Sequence, residues 1–180
     1  MKGFSLSLIG FGMEVRRSAA VIYQNLMRAA LAADMYEAGA GTDTFEGRAS
    51  LVAAHASIVM PPLQSLGRPG EKLSKAVNDL ILDGFDAAYR EKGVGDASIA
   101  RKMRKLAETH YGLGKALGQA FGKDESVRLA AVRDCLQKNA VSEAGHEDKL
   151  ALYLLKNREY ISTISDKVLL AGNFEWKTFS

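Results

Sequence analysis

The chain has 180 residues, a length that suits one domain with a sizeable buried core. Its 47% hydrophobic and 25% charged content is that of an ordinary globular protein and excludes disorder over most of the length. A net charge of +3 is too mild to identify a partner, a single cysteine excludes an intrachain disulfide, and no apolar run approaches the roughly 20 residues that a bilayer-crossing helix needs.

The first 14 residues carry Phe4, Leu6, Leu8, Ile9, Phe11 and Met13, followed by Glu14, Arg16 and Arg17. The segment lacks a small-residue cleavage pattern, so 1–14 reads as a flexible or docking N-terminal arm and not as a signal peptide. Residues 15–180 then read as one helical domain. An alanine-rich helix is expected from Val15 to Glu37, with Ile22, Leu26, Ala29, Ala30 and Ala33 along one face. Gly39-Ala40-Gly41 ends it, and Asp43 or Thr44 caps a second helix whose first turn holds Glu46. Leu51, Val52, His55, Ile58 and Val59 form that helix's apolar face. Pro61-Pro62 should terminate or kink it, leaving Gln64 to Gly70 as a loop.

A helical hairpin follows, from Glu71 to Leu117. Leu73, Ala76, Val77, Leu80, Ile81, Gly84, Phe85 and Ala88 recur at spacings of three and four on its first arm. Gly93 supplies positive φ just past that arm, and Asp96 is the expected N-cap of the next. On the second arm Ile99, Met103, Leu106, Ala107, His110, Leu113 and Leu117 share one arc. Arg101, Lys102, Arg104 and Lys105 occupy the opposite one. After Phe121-Gly122-Lys123 a fifth helix opens near Asp124 or Ser126, with Val127, Ala130, Ala131, Cys135 and Leu136 inward. Cys135 sits among apolar neighbours and reads as a buried structural thiol. Gly145 precedes a sixth helix from about Glu147, using Leu150, Ala151, Leu154, Leu155, Arg158, Ile161 and Ile164. The aromatic tail at Phe174 and Trp176 is expected to tuck back. The fold class is all-α, a compact single-domain bundle of about six helices.

Catalytic apparatus is absent from the pattern. Gly93-Val94-Gly95 lacks the preceding strand of a nucleotide loop, no serine lies in a nucleophile elbow, and none of the three histidines has a ligand partner at metal spacing. No cofactor or metal is expected. His110 projects from its helix's apolar arc. It reads first as a hydrogen-bonded core histidine, and secondly as a heme or quinone contact in a small-molecule binder. Arg101, Lys102, Arg104 and Lys105, with Arg90 and Lys92, meet only Glu91 and Asp96 nearby. That patch is either a solvated helix face or a contact for ribosomal RNA, anionic lipid headgroups or an acidic protein. A basic RNA-binding module is a further alternative, though the basic arc has no aromatic residues on which to stack bases.

Three blocks carry a resemblance. Asp43-Thr44-Phe45-Glu46-Gly47-Arg48 with the following helix resembles a segment of the ubiquinol–cytochrome c chaperone family. Glu91 to Gly112, with its GVGD hinge leading into a basic helix, is similar to that family's most recognisable block, and Leu169 to Phe174 is similar to its C-terminal signature. Pro61-Pro62 and Lys92 depart from the family pattern. The resemblance implies a non-enzymatic assembly factor that binds newly made cytochrome b and promotes assembly of the cytochrome bc complex. Implied partners are cytochrome b, the ribosome and the membrane surface, with no DNA. The partner-binding residues are then Gly93, Val94, Gly95, Asp96, Arg101, Lys102, Arg104 and Lys105. With no transit peptide in view, the chain resembles a bacterial, cytoplasm-facing member, peripheral at the inner membrane.

Overall fold

A computed structural model describes residues 3–179, with side chains described from Gly12 onward. Helix α3, Phe45–Ser65, stands at the centre because its sequence is apolar or small on every side. Each residue from Ala49 to Met60 is buried, His55 included. Around it lie α1 (Gly3–Ala30), α4 (Gly67–Glu91), α5 (Asp96–Phe121) and α7 (Glu147–Ser162), while α6 (Glu125–Lys138) packs between α5 and α7. Two short helices complete the set, α2 (Ala33–Glu37) and α8 (Asp166–Ala171). The described residues therefore form an all-α bundle of six long helices and two short ones, with no strand.

α1 starts at Gly3, so the backbone of most of the expected arm continues this helix. The side chains of residues 3–11, on which a docking role would depend, lie outside the described residues. The helix expected over 15–37 is broken at Leu31-Ala32, and α2 turns away to bury Met35. Ala33 accordingly ends exposed, whereas Ile22, Leu26 and Ala30 reach the core.

The prolines neither end α3 nor open a loop. Pro61 and Pro62 lie inside the helix, which runs on to Ser65. Each proline removes one ladder donor. The fully buried Leu63 holds the last turn in place beyond them. The expected loop over 64–70 contracts to a corner at Leu66-Gly67, where Gly67 has φ +67 and starts α4. Gly70 packs so closely on the Leu63 carbonyl that a Cβ there would collide with it.

In α6 the inward residues are Val132, Cys135 and Leu136, while Val127 and Ala130, expected inside, are exposed. α6 covers only one side of the bundle, so a stripe of this width suffices. The tail does tuck back: Phe174 and Phe179 are buried, and Trp176 packs edge-on to His55 with ring centroids 4.9 Å apart. Asn25 Nδ2 donates to the carbonyls of Gly172 and Phe174 at 3.2 and 3.3 Å, and the Lys177 N–H donates to Asn157 Oδ1 at 2.8 Å.

Candidate partner-binding surface

The hinge is built by α4's own ending. Val94 N–H bonds the Tyr89 carbonyl at 3.1 Å and Gly93 N–H bonds that of Arg90 at 2.9 Å. These are the paired bonds of a Schellman motif, with Gly93 at φ +73 in the left-handed position that a side chain would strain. The next helix is capped differently from the sequence expectation. Gly95 is the N-cap and Asp96 is already the first helical residue. The Asp96 carboxylate turns instead to Arg90, accepting from Nη1 at 2.9 Å, while Arg90 Nε donates to Asp86 at 2.6 Å. Arg90 thus ties the two arms together, and its charge is satisfied within the hinge.

Against this hinge packs the start of α3. Thr44 caps that helix by accepting from Gly47 N–H at 3.0 Å. Gly47 is needed because a Cβ would run into the Thr42 backbone and hydroxyl. Arg48 pairs with Asp43 at 2.7 Å and lies over the Tyr36 ring. Phe45, between these polar contacts, reaches across to α4. Its ring lies 4.3 Å from Tyr89 and 6.1 Å from Phe85, centroid to centroid.

Cations sit on the aromatic cluster. Lys92 Nζ is 5.1 Å from the Phe45 ring centre and Lys102 Nζ is 5.4 Å from that of Tyr89. Burial, with Glu46 as a lesser cause, raises the Tyr89 pKa and keeps the phenol neutral. Beside the cluster opens a cleft of about 460 Å³, floored by Met27, Leu31, Phe45, Val52 and Phe85 and rimmed by Lys92 and Arg48. Arg101, Lys102, Arg104 and Lys105 are all exposed on the outer face of α5. None of them, nor Lys92, has a carboxylate within ion-pair distance among the described residues.

The structure therefore brings the hinge, Lys92 and Lys102 together with the 43–48 block on one surface; Arg101, Arg104 and Lys105 continue it outward. Phe45, Phe85 and Tyr89 were not singled out from the sequence as part of it. The signal was present: Tyr89 continues the four-residue stripe of Leu73, Val77, Ile81 and Phe85, and it is buried to 6% exposure.

The histidines lie elsewhere. His55 is fully buried, with Nδ1 2.7 Å from the Leu51 carbonyl and Nε2 3.0 Å from the Tyr153 hydroxyl. A carbonyl can only accept, so Nδ1 carries the proton and Nε2 receives the Tyr153 O–H. Burial pushes the His55 pKa down to about 4 and raises that of Tyr153. His110 is a core histidine hydrogen-bonded to Asn78 at 3.1 Å, and burial lowers its pKa to about 4 as well. Among the described residues no three His, Cys, Asp or Glu side chains are grouped to hold a metal ion, and no helix is long and apolar enough to cross a membrane.

The sequence profile of the ubiquinol–cytochrome C chaperone family matches residues 37–176. No curated protein matches the sequence. The fold is similar to the crystal structure of the Cbp3 homolog from Brucella abortus, with a TM-score of 0.82 at 23% identity over 98% of each chain. At that identity the likeness establishes the fold.

Proposed function

Because this chain belongs to the ubiquinol–cytochrome c chaperone family, we propose that it is a non-enzymatic assembly factor. Its client is newly made cytochrome b, which it shields until the cytochrome bc complex assembles. The observation that carries this reading is the convergence of two separate sequence blocks on one surface. Phe45 of the first meets Tyr89 at the hinge of the second, beside an apolar cleft and five cations that have no carboxylate within ion-pair distance among the described residues. An apolar cleft rimmed by charge suits a polypeptide client, since it offers area and steering, while its one carboxylate, Asp43, is tied to Arg48 and its hydroxyl, Thr44, caps α3.

In this reading Gly93, Val94, Gly95 and Asp96 set the angle between the two arms. Arg101, Lys102, Arg104 and Lys105 hold the chain to an anionic surface beside the client, ribosomal RNA or lipid headgroups, and it works at the cytoplasmic side of the membrane. The test is genetic. Deletion should remove assembled bc complex while other respiratory complexes persist, and capture of the tagged protein in mild detergent should recover cytochrome b. Normal bc complex in the deletion strain would overturn the proposal.

A further inference from the structure

A groove of about 330 Å³ opens where the ends of α3, α5 and α7 meet, and it shares no lining residue with the hinge cleft. That volume lies near the lower end of the roughly 300–1,000 Å³ of small-molecule pockets. Ile58, Pro61, Pro62 and Phe121 give it apolar walls. Pro61 is exposed and Pro62 half-buried, so part of this apolar surface stays open.

The groove also holds a cation. Arg158 lines it from the stripe of α7 that otherwise buries Leu150, Leu154 and Ile161. Its guanidinium carbon lies 5.6 Å from the centre of the Phe121 ring. Arg158 has no hydrogen-bond or ion-pair partner among the described residues, and none of its nitrogens is sealed from solvent. Its planar donor fork is therefore both unmatched and accessible. Arg128 stands nearby, with Nε donating to the Lys123 carbonyl at 3.0 Å, and it too has no carboxylate within ion-pair distance among the described residues. Burial, and then the Arg128 charge, lower the Arg158 pKa. Arginine stays protonated all the same, so two neighbouring cations share this end of the bundle without a counter-charge.

Other donors at the groove are already engaged. The Ser65 and Ser162 hydroxyls donate to the carbonyls of Pro62 and Glu159 at 2.8 and 2.6 Å, and the Gly122 N–H donates to that of Gly118 at 3.2 Å. A carboxylate is matched by one guanidinium fork through two parallel N–H bonds, whereas a phosphate monoester brings three oxygens that call for more donors. We propose that this groove binds a monocarboxylate with a short alkyl body, its head paired with Arg158 and its chain laid along Ile58, Pro61 and Pro62.

Octanoate, 1-octanol and octyl phosphate are the probes, alike in chain but differing in the head. The full chain, labelled with nitrogen-15, is titrated with each while the Arg158 Nε–H signal and the amides of Gly118 and Gly122 are followed. Octanoate should saturate with a Kd on the order of 1 mM, as suits so small a ligand. Octanol should bind about tenfold more weakly or worse, the worth of a charge-assisted contact. Arg158→Gln should bring octanoate down to the octanol level and leave octanol unchanged, a pattern that unfolding does not produce. Arg128→Gln should weaken octanoate severalfold and octanol not at all. Gly118→Leu, at a position where a Cβ meets no atom within 4 Å, puts a side chain into the groove and should weaken both. Octanol binding as tightly as octanoate, acetate binding as tightly as octanoate, or octanoate binding undiminished in Arg158→Gln would each overturn the site. Tighter binding of octyl phosphate would overturn the choice of a carboxylate.

Discussion

Two neutral histidines in the core make the fold sensitive to mild acid, and the size of the effect follows from their burial. His55 and His110 both have folded-state pKa values lowered to about 4 from the ordinary 6.5. In the unfolded chain both titrate near the ordinary value, so between pH 6.5 and 4 the unfolded state binds the extra protons. Stability is therefore fully present above pH 6.5, falls as pH drops through the window, and levels off below about 4. From pH 7 to pH 5 each histidine contributes a loss of about 2 kcal/mol, so the pair contributes about 4 kcal/mol. That is a large share of a typical domain's 5–15 kcal/mol. Urea unfolding at half-unit pH steps measures it directly. His110→Gln should remove about half of the pH dependence, since glutamine does not titrate. A stability flat between pH 7 and 5, or imidazole resonances that titrate near 6.5 in the folded protein, would refute the reasoning.

Tyr153→Phe deletes the donor to a fully buried imidazole nitrogen and should cost about 1–2 kcal/mol, read as a lower urea midpoint with unchanged slope. Gly172→Ala forces a side chain into φ +73 and against Ile22, so a loss of about 2–3 kcal/mol is expected by the same measurement. Phe45→Ala empties a half-buried aromatic contact between α3 and α4, with an expected loss of about 2 kcal/mol and weaker capture of cytochrome b. Reversing Lys102, Arg104 and Lys105 to glutamate should leave the thermal midpoint within a few degrees while lowering co-sedimentation with ribosomes or anionic vesicles by about tenfold or more. Unchanged co-sedimentation would make the patch an ordinary solvated face.

The helices that the sequence announced most clearly are those with polarised faces. α4 and α5 carry apolar residues at threes and fours, and the structure buries Leu73, Val77, Ile81 and Phe85 on one, and Ile99, Leu106, Leu113 and Leu117 on the other. Where reading failed, a tertiary contact outweighed a local signal. Pro61-Pro62 is a strong breaker in isolation, yet the burial of Leu63 continues the helix past it. Asp96 is a good N-cap by type, yet Arg90 offers its carboxylate a charged partner across the hinge. The surface itself was half legible. Its cations stand in one run along the chain, while Phe45 and Tyr89 lie 44 positions apart and are joined only by folding.

The three blocks that carry the family resemblance do different physical work. The C-terminal block holds the fold: Leu169 and Phe174 are buried, and Gly172 lies in the left-handed region with Ile22 where its side chain would be. A change there should act on stability first and on partners only through unfolding. The 43–48 block and the hinge are structured with equal care, by a capped helix start and a Schellman ending, but what they present outward is an open cleft and, at Lys92, a cation with no carboxylate in ion-pair distance among the described residues. Of the five cations beside the cleft, Lys92 and Lys102 lie over the Phe45 and Tyr89 rings, whereas Arg101, Arg104 and Lys105 are exposed on the outer face of α5 and add little to cohesion. If the proposed partner contact holds, substitutions at Arg101, Arg104 and Lys105 should separate partner capture from stability in a way that changes at Gly172 cannot.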